Sequence, residues 1–321
     1  MSVPSPQLLW TLACLFGSLT VGTLIRISML RGVPNESAQS PLRSMWTWWA
    51  LAVLLSIAVM LGKLGVALLL AIAGILSLRE YLQMIGWKSI GAPTVALVFA
   101  FVPIYYVILI LGFDEELRSA APVAFLLALG GCRAWLGLIE DYVRITAASI
   151  WGLMLFVYCL SHASFLLNLS FPEQPWTGSV GWFLFLVLLT ESGDIAQALV
   201  GRRFGKTKIT LRVSPNKSLE GLLGGIAVSM ILAVLLAPWL TTMMQRRSWN
   251  AGVFFAVLSG LLIAIFGFLG DINKSGIKRD VGVKDSGTML PGQGGVMDRI
   301  DSLTFSAPAF YYFVQFLQSA A

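Results

Sequence analysis

Four stretches of this chain are too long and too apolar to suit a soluble domain. Residues 46–62, 91–113, 147–171 and 250–270 each run without an Asp, Glu, Lys or Arg. A helix needs about 20 apolar residues to cross the hydrocarbon core of a bilayer, and each stretch is near that length. The apolar residues are continuous rather than alternating, which selects helices over a transmembrane barrel. Composition agrees: only 12% of residues are charged, about half the share found in soluble domains.

The expected fold is therefore an all-α, polytopic integral membrane helical bundle of about 9–10 transmembrane helices. The spans read as 7–29, 46–62, 64–78, 91–113, 119–139, 147–171, 179–200, 218–242, 250–270 and 303–319. The second and third are short and separated by Lys63, so they form a tight hairpin or lie partly at the interface. The span at 119–139 carries Arg133 and is the weakest. The opening MSVPSPQLLW has no basic n-region, so the first span reads as a retained helix.

Basic residues orient the bundle. Segment 201–217, GRRFGKTKITLRVSPNK, holds six Lys or Arg and no acid, and is assigned to the cytoplasm. Counting spans puts 30–45 (Arg31, Arg43), 79–90 (Arg79, Lys88), 140–146 and 271–302 on the same side, with both termini opposite. The other face receives the acidic 114–117, segment 172–176, and the dissenting pair Arg246–Arg247. The net charge of +6 is read as cytoplasmic loops facing anionic lipid, not as a nucleic-acid surface. Cys14, Cys132 and Cys159 lie in apolar segments without paired spacing and are assigned to packing.

Three places carry chemistry. In the helix ending TESGDIAQALVGRR, Glu191 and Asp194 are one turn apart and Gln197 continues that face. They either line a cavity or ion site, or form the polar end of a helix. In SPNKSLEG, Ser218 to Gly221 reads as a helix start. With Ser214 and Lys217 beside it, that start is either a phosphate-binding turn or an ordinary basic loop with an N-cap. The third is DINKSGIKRDVGVKDSGTMLPGQGGVMDRIDS, residues 271–302, where five basic and five acidic side chains alternate among glycines. Basic groups neutralise phosphate, carboxylates hold divalent metals, and glycines let backbone approach a ligand.

The spacing of that third stretch is specific. Ser275-x-x-Lys278-Arg279, Lys284-Asp285, Gly287, Leu290-Pro291, Gln293-Gly294-Gly295 and Asp298-Arg299-x-Asp301-Ser302 closely resemble the signature of the phosphatidate cytidylyltransferases (CDP-diacylglycerol synthases). SPNKSLEG and the Asp194 helix resemble that family's other elements in the same order, so the likeness covers residues 190–302 strongly. One position departs: Gln293 stands where the family signature usually has His. Gln hydrogen-bonds but takes up no proton near neutral pH. The sole histidine, His162, lies in an apolar span near the other side and reads as a packing residue rather than a replacement.

The resemblance implies transfer of a cytidylyl group from CTP to phosphatidate, at the cytoplasmic face of the cell inner membrane or its equivalent. It divides the chain into N-terminal transmembrane helices (1–145) and a catalytic transmembrane region (146–321) with cytoplasmic loops 201–217 and 271–302. It implies Mg2+, with room for a second cation, on Asp271 and Asp298, with Asp301, Asp285 and Asp194 next in line. It gives phosphate-clamping roles to Lys278, Arg279, Lys284, Arg299 and Lys217, and adds Ser214, Ser275, Gly294 and Gly295 to the substrate site and Asp285 and Gln293 to the catalytic set. A homodimer is allowed by the same likeness. The alternatives are a CTP-dependent kinase of a polyprenol-type lipid, a transporter using Glu191, Asp194 and Arg133, or a catalytically degenerate paralogue.

Overall fold

The computed structural model describes residues 5–30, 35–86, 90–169, 175–245, 248–283 and 286–319. Arg31, Lys88, Arg246, Arg247, Lys284 and Asp285, all invoked above, lie outside the described residues. The chain is a helical membrane bundle: α1 (Pro6–Leu30), α2 (Asn35–Met60), α3 (Gly62–Ile85), α4 (Ala92–Leu111) and α5 (Asp114–Trp135) come first. A bent rod follows, made of α6 (Tyr142–Leu153), a π-helical turn (Met154–Cys159) and α7 (Leu160–Phe165). Then come α8 (Gly181–Phe204), a hairpin of β1 (Lys208–Thr210) and β2 (Ser214–Ser218), α9 (Leu219–Leu240), α10 (Trp249–Asp280) and α11 (Met297–Ser319).

Among the described residues, eight helical segments are long and apolar enough to cross a membrane. The helices expected at 119–139 and 303–319 form as α5 and α11 but are not among the eight. Asp114, Glu115, Glu116 and Arg133 on α5, and the tyrosines and glutamines of α11, lower their hydropathy. The second and third spans do make a tight hairpin, turning at Leu61–Gly62, where Gly62 takes φ +65°.

The core centres on α8, where Trp182, Phe183, Leu184, Phe185 and Leu186 are all buried and Phe185 stacks on Phe310 of α11 at 5.6 Å. The outer helices leave Leu111, Leu127, Ile231 and Leu235 exposed, as lipid-facing positions should be. Small residues set the spacing, because apolar side chains gain little by associating in lipid and close backbone packing takes over. A Cβ on Gly260 of α10 would sit 2.6 Å from the Ser229 carbonyl oxygen of α9, and one on Gly270 would collide with the Asp301 backbone of α11. Gly270 thus lets α10 and α11 touch where each carries its acids.

Two polar residues of the interior are structural. Arg133 is buried and donates to the carbonyls of Ile90 (3.1 Å), Leu138 (3.1 Å) and Glu140 (3.3 Å) and to Thr94 Oγ1 (3.0 Å). It ties the end of α5 to the start of α4, an arrangement that leaves it no role as a transported charge. His162 shares a 2.8 Å hydrogen bond with the Tyr158 carbonyl and packs among Tyr158, Phe165, Tyr311 and Tyr312. The packing reading of His162 holds. The three cysteines are free.

Candidate functional site

The stretch 271–302, expected as a loop, is half made of two helix ends. The helix α10 continues ten residues past the expected boundary to Asp280, and α11 begins at Met297. Asp271, Lys274 and Lys278 fall at i, i+3 and i+7, on one face, and that face meets the first turn of α11. The charges do not break the helix because each finds a partner across the gap. Lys274 pairs with Asp271 (3.1 Å), Asp298 (3.5 Å) and Asp301. Lys278 pairs with Asp298 at 3.1 Å, and Lys217, arriving on β2, pairs with Asp271. The polar segments that basic residues assigned to one side do share one end of the bundle.

The connection between the helices is pinned from three directions. Asp298 Oδ2 accepts from Ser286 Oγ (2.7 Å) and the Gly295 amide (3.1 Å). Burial pushes the Asp298 carboxyl up, but Lys274, Ser286, Lys278 and the Gly295 amide together hold it below the ordinary carboxylate range. Glu80, buried at the end of α3, accepts from the amides of Val296 (3.0 Å) and Met297 (2.9 Å). From α2, Thr47 donates to the Pro291 carbonyl at 2.8 Å, and Ser44 accepts from Gln293 Nε2 through its carbonyl (2.8 Å) and hydroxyl (3.3 Å). Gly294 takes φ +86°, and a Cβ there would stand 2.7 Å from Asp298 Oδ2, so glycine is required.

A second region adjoins the first. The C-terminal end of α8, the hairpin and the start of α9 enclose a cavity of about 580 Å3 lined by Arg202, Lys208, Asn216 and Lys217, with no acid in its lining. Gly201, Gly205 and Gly221 keep its walls thin, since a Cβ on Gly221 would approach the Gln197 carbonyl at 2.8 Å. Ser218 caps α9 as the sequence predicts, accepting from the Gly221 amide at 3.2 Å. Lys217 belongs to both regions, lining the cavity while pairing with Asp271.

The structure thus brings Asp271, Asp298, Asp301, Lys278, Lys217, Gly294 and Gly295 together and sets others apart. Arg279 turns outward and donates to the Val213 carbonyl at 3.2 Å, bracing the hairpin. Ser214 opens β2 opposite Thr210, and Ser275 lies on α10 beside Lys274. Arg299 is half-buried, its Nε without a hydrogen-bond partner among the described residues, and it acts electrostatically on Glu191. Asp194 is half-buried on α8 within electrostatic reach of Asp301, Lys217 and Asp271. Two central residues escape the sequence reading. Lys274 passes for one more juxtamembrane charge until its i, i+3 spacing from Asp271 is placed on a helix. Glu80 hides beside Arg79 as an apparent loop charge.

The fit to a metal ion can be judged from the donors. Asp271, Asp298 and Asp301 supply the hard oxygens that magnesium takes, and they converge on one point. That point holds the Lys274 ammonium. Among the described residues no trio of His, Cys, Asp or Glu is arranged to hold a metal ion. With a lysine ammonium at the point of convergence, the described residues do not fit a resident metal at this cluster.

Known proteins resemble the chain over much of its length. The model of the cytidylyltransferase family matches residues 42–317. The chain is 37% identical over 313 residues to the uncharacterized protein YnbB of Escherichia coli K12, covering 95% of this chain and 98% of that one. It is 42% identical to a phosphatidate cytidylyltransferase of Synechocystis over 146 residues, 46% of this chain and 47% of the relative. With a phosphatidate cytidylyltransferase of Staphylococcus aureus it shares 28% identity over 252 residues, 77% of this chain and 88% of the relative.

Proposed function

The chain belongs to the cytidylyltransferase family, and we propose that it transfers the cytidylyl group of CTP to phosphatidate. An oxygen of the lipid phosphate attacks the α-phosphorus of CTP, the α–β P–O bond breaks, and pyrophosphate leaves as CDP-diacylglycerol forms. A phosphate monoester is already a competent nucleophile, so no activated Ser or Cys is needed. The reaction asks chiefly for in-line placement and charge neutralisation of two polyanions.

The observation that carries this reading is the acid-free basic cavity joined through Lys217 to the Lys–Asp cluster. Its volume, about 580 Å3, lies in the range of small-molecule sites, roughly 300–1,000 Å3. In this reading Arg202, Lys208 and Lys217 hold the triphosphate and Lys278 meets the lipid phosphate. Magnesium that neutralises the triphosphate enters on the nucleotide, as part of the substrate. A groove of about 500 Å3 is lined by Tyr81, Ile85, Trp151 and Ile277 and also by Arg144, Asp141 and Asp280; in this reading its apolar residues take an acyl chain. We place the site on the cytoplasmic face of the inner membrane or its equivalent, where CTP is found. Labelling of Lys206 by a membrane-impermeant amine reagent added outside sealed cells would overturn that side.

The test uses the full chain in phosphatidate-containing vesicles with CTP labelled either in the cytidine or at the γ-phosphate. Cytidine label in lipid with release of pyrophosphate is the expected result. γ-Phosphate label in lipid would make the protein a lipid kinase, and label in neither would mark it as catalytically silent.

Gln293 is addressed by the same assay. Its side-chain amide donates to Ser44 of α2 and ties the loop down. Gln293→His keeps one ring N–H donor, so the rate should change less than about tenfold, one neutral hydrogen bond's worth. Its pH–rate profile should gain no new limb near neutrality. A hundredfold gain would show that this position supplies a proton.

A further inference from the structure

The three N–H donors of one lysine ammonium match the three carboxylates around Lys274. Its Nζ lies 3.1 Å from Asp271 Oδ1 and 3.5 Å from Asp298 Oδ1, and it pairs with Asp301 Oδ2. The side chain is 11% exposed and those of its partners 18%, 10% and 7%, so the contacts are shielded from water. Lys274 projects from the last two turns of a 32-residue helix whose neighbour α11 is held at backbone contact by Gly270. Both lysines that flank it, Lys217 and Lys278, reach one carboxylate each. The cluster of Asp271, Asp298, Asp301, Lys217, Lys274 and Lys278 therefore carries three negative and three positive charges. Counted by themselves these six side chains are neutral before any ion or substrate arrives, with the half-buried Asp194 within electrostatic reach of them. A divalent ion entering the cluster would have to displace an ammonium gripped by three acids and would leave a local excess of positive charge.

We propose that Lys274 is the resident cation of this cluster, a side chain standing where a metal ion would otherwise join Asp271, Asp298 and Asp301. Its donors are used up inside the protein, so it is a positioning residue: it holds three acids from two helices in one place. Lys217 and Lys278 keep donors free for phosphate. The catalytic meaning of this arrangement rests on the cytidylyltransferase reading, but its metal chemistry does not and is tested without nucleotide or lipid.

The experiment is titration of the purified, detergent-solubilised full chain with Mn2+, read by the loss of the free-ion electron paramagnetic resonance signal. Wild type should show no stoichiometric site. Lys274→Ala removes the ammonium and leaves the acids in excess by one charge, so it should gain one site per chain, at least about tenfold tighter than any wild-type binding. Adding Asp301→Asn to Lys274→Ala should abolish it. Helical circular dichroism confirms folding of each variant. A wild-type site that Asp301→Asn removes would overturn the proposal by showing that Lys274 yields to metal. A folded Lys274→Ala that gains no site would also overturn it. If Lys274→Ala does not fold, the wild-type titration decides alone: one Asp301-dependent site refutes and its absence supports. A negative CTP assay touches none of these outcomes.

Discussion

Asp298→Ala should cut cytidylyl transfer by about 100-fold or more while leaving the helices intact. Asp298 is the acceptor on which four donors meet: Lys274 (3.5 Å), Lys278 (3.1 Å), Ser286 (2.7 Å) and the Gly295 amide (3.1 Å). Its loss frees Lys278 from the only carboxylate it pairs with among the described residues and unties the loop at two points. Misplacement of a reacting group by about 1 Å can cost about 100-fold in rate. The defect should appear in kcat more than in KM for CTP, because the basic cavity is built from α8, the hairpin and α9 and is left whole. Asp298→Asn keeps the shape and one accepting oxygen but turns an amide NH2 toward existing donors, so it should fall between. Initial rates with labelled CTP and phosphatidate, alongside circular dichroism, measure both. Full activity in Asp298→Ala would remove this cluster from the reaction altogether.

The helical class and the side shared by the polar loops were legible because lipid imposes them. Long uncharged runs must be helices, and basic loops gather on one side. The site was legible where the motif fixes spacing, as at Asp298, Gly294 and Gly295, or where local capping acts, as at Ser218. It was illegible where tertiary contacts decide. A charged run after an apolar span reads as loop, yet Asp271, Lys274 and Lys278 stay helical because α11 and β2 supply counter-charges across the gap. The short hairpin at 208–218 carries no strong strand pattern and is held from outside, by Arg279 on Val213 and by Glu220 on the amides of Lys206 and Thr207. Arg133 looked like an intramembrane charge of functional interest. Only the positions of Ile90, Thr94, Leu138 and Glu140 reveal a clamp.

Glu80 carries the other large expectation, and an isosteric change tests it. A carboxylate near the end of a membrane helix is costly unless it is partnered. Here its two oxygens receive the Val296 and Met297 amides, donors at the start of α11 that have no helical acceptor of their own. The negative charge also suits the positive end of that helix. In Glu80→Gln one oxygen becomes an NH2 facing an N–H, so one buried donor loses its acceptor at about 1–3 kcal/mol. The first turn of α11, with Asp298 and Asp301, should then drift from Lys274. The expected result is a rate about 5- to 150-fold lower, the range that energy is worth in an equilibrium, together with a lower thermal midpoint. Gly295→Ala should reproduce both effects from the other side, since its Cβ would stand 2.6 Å from Ser286 Oγ and press on the Glu80 carboxylate. The pair should be less than additive, because each change disturbs the same contact. If Glu80→Gln loses stability but keeps its rate, Glu80 supports the fold alone, and the carboxylates must be held by Lys274 without help from α3.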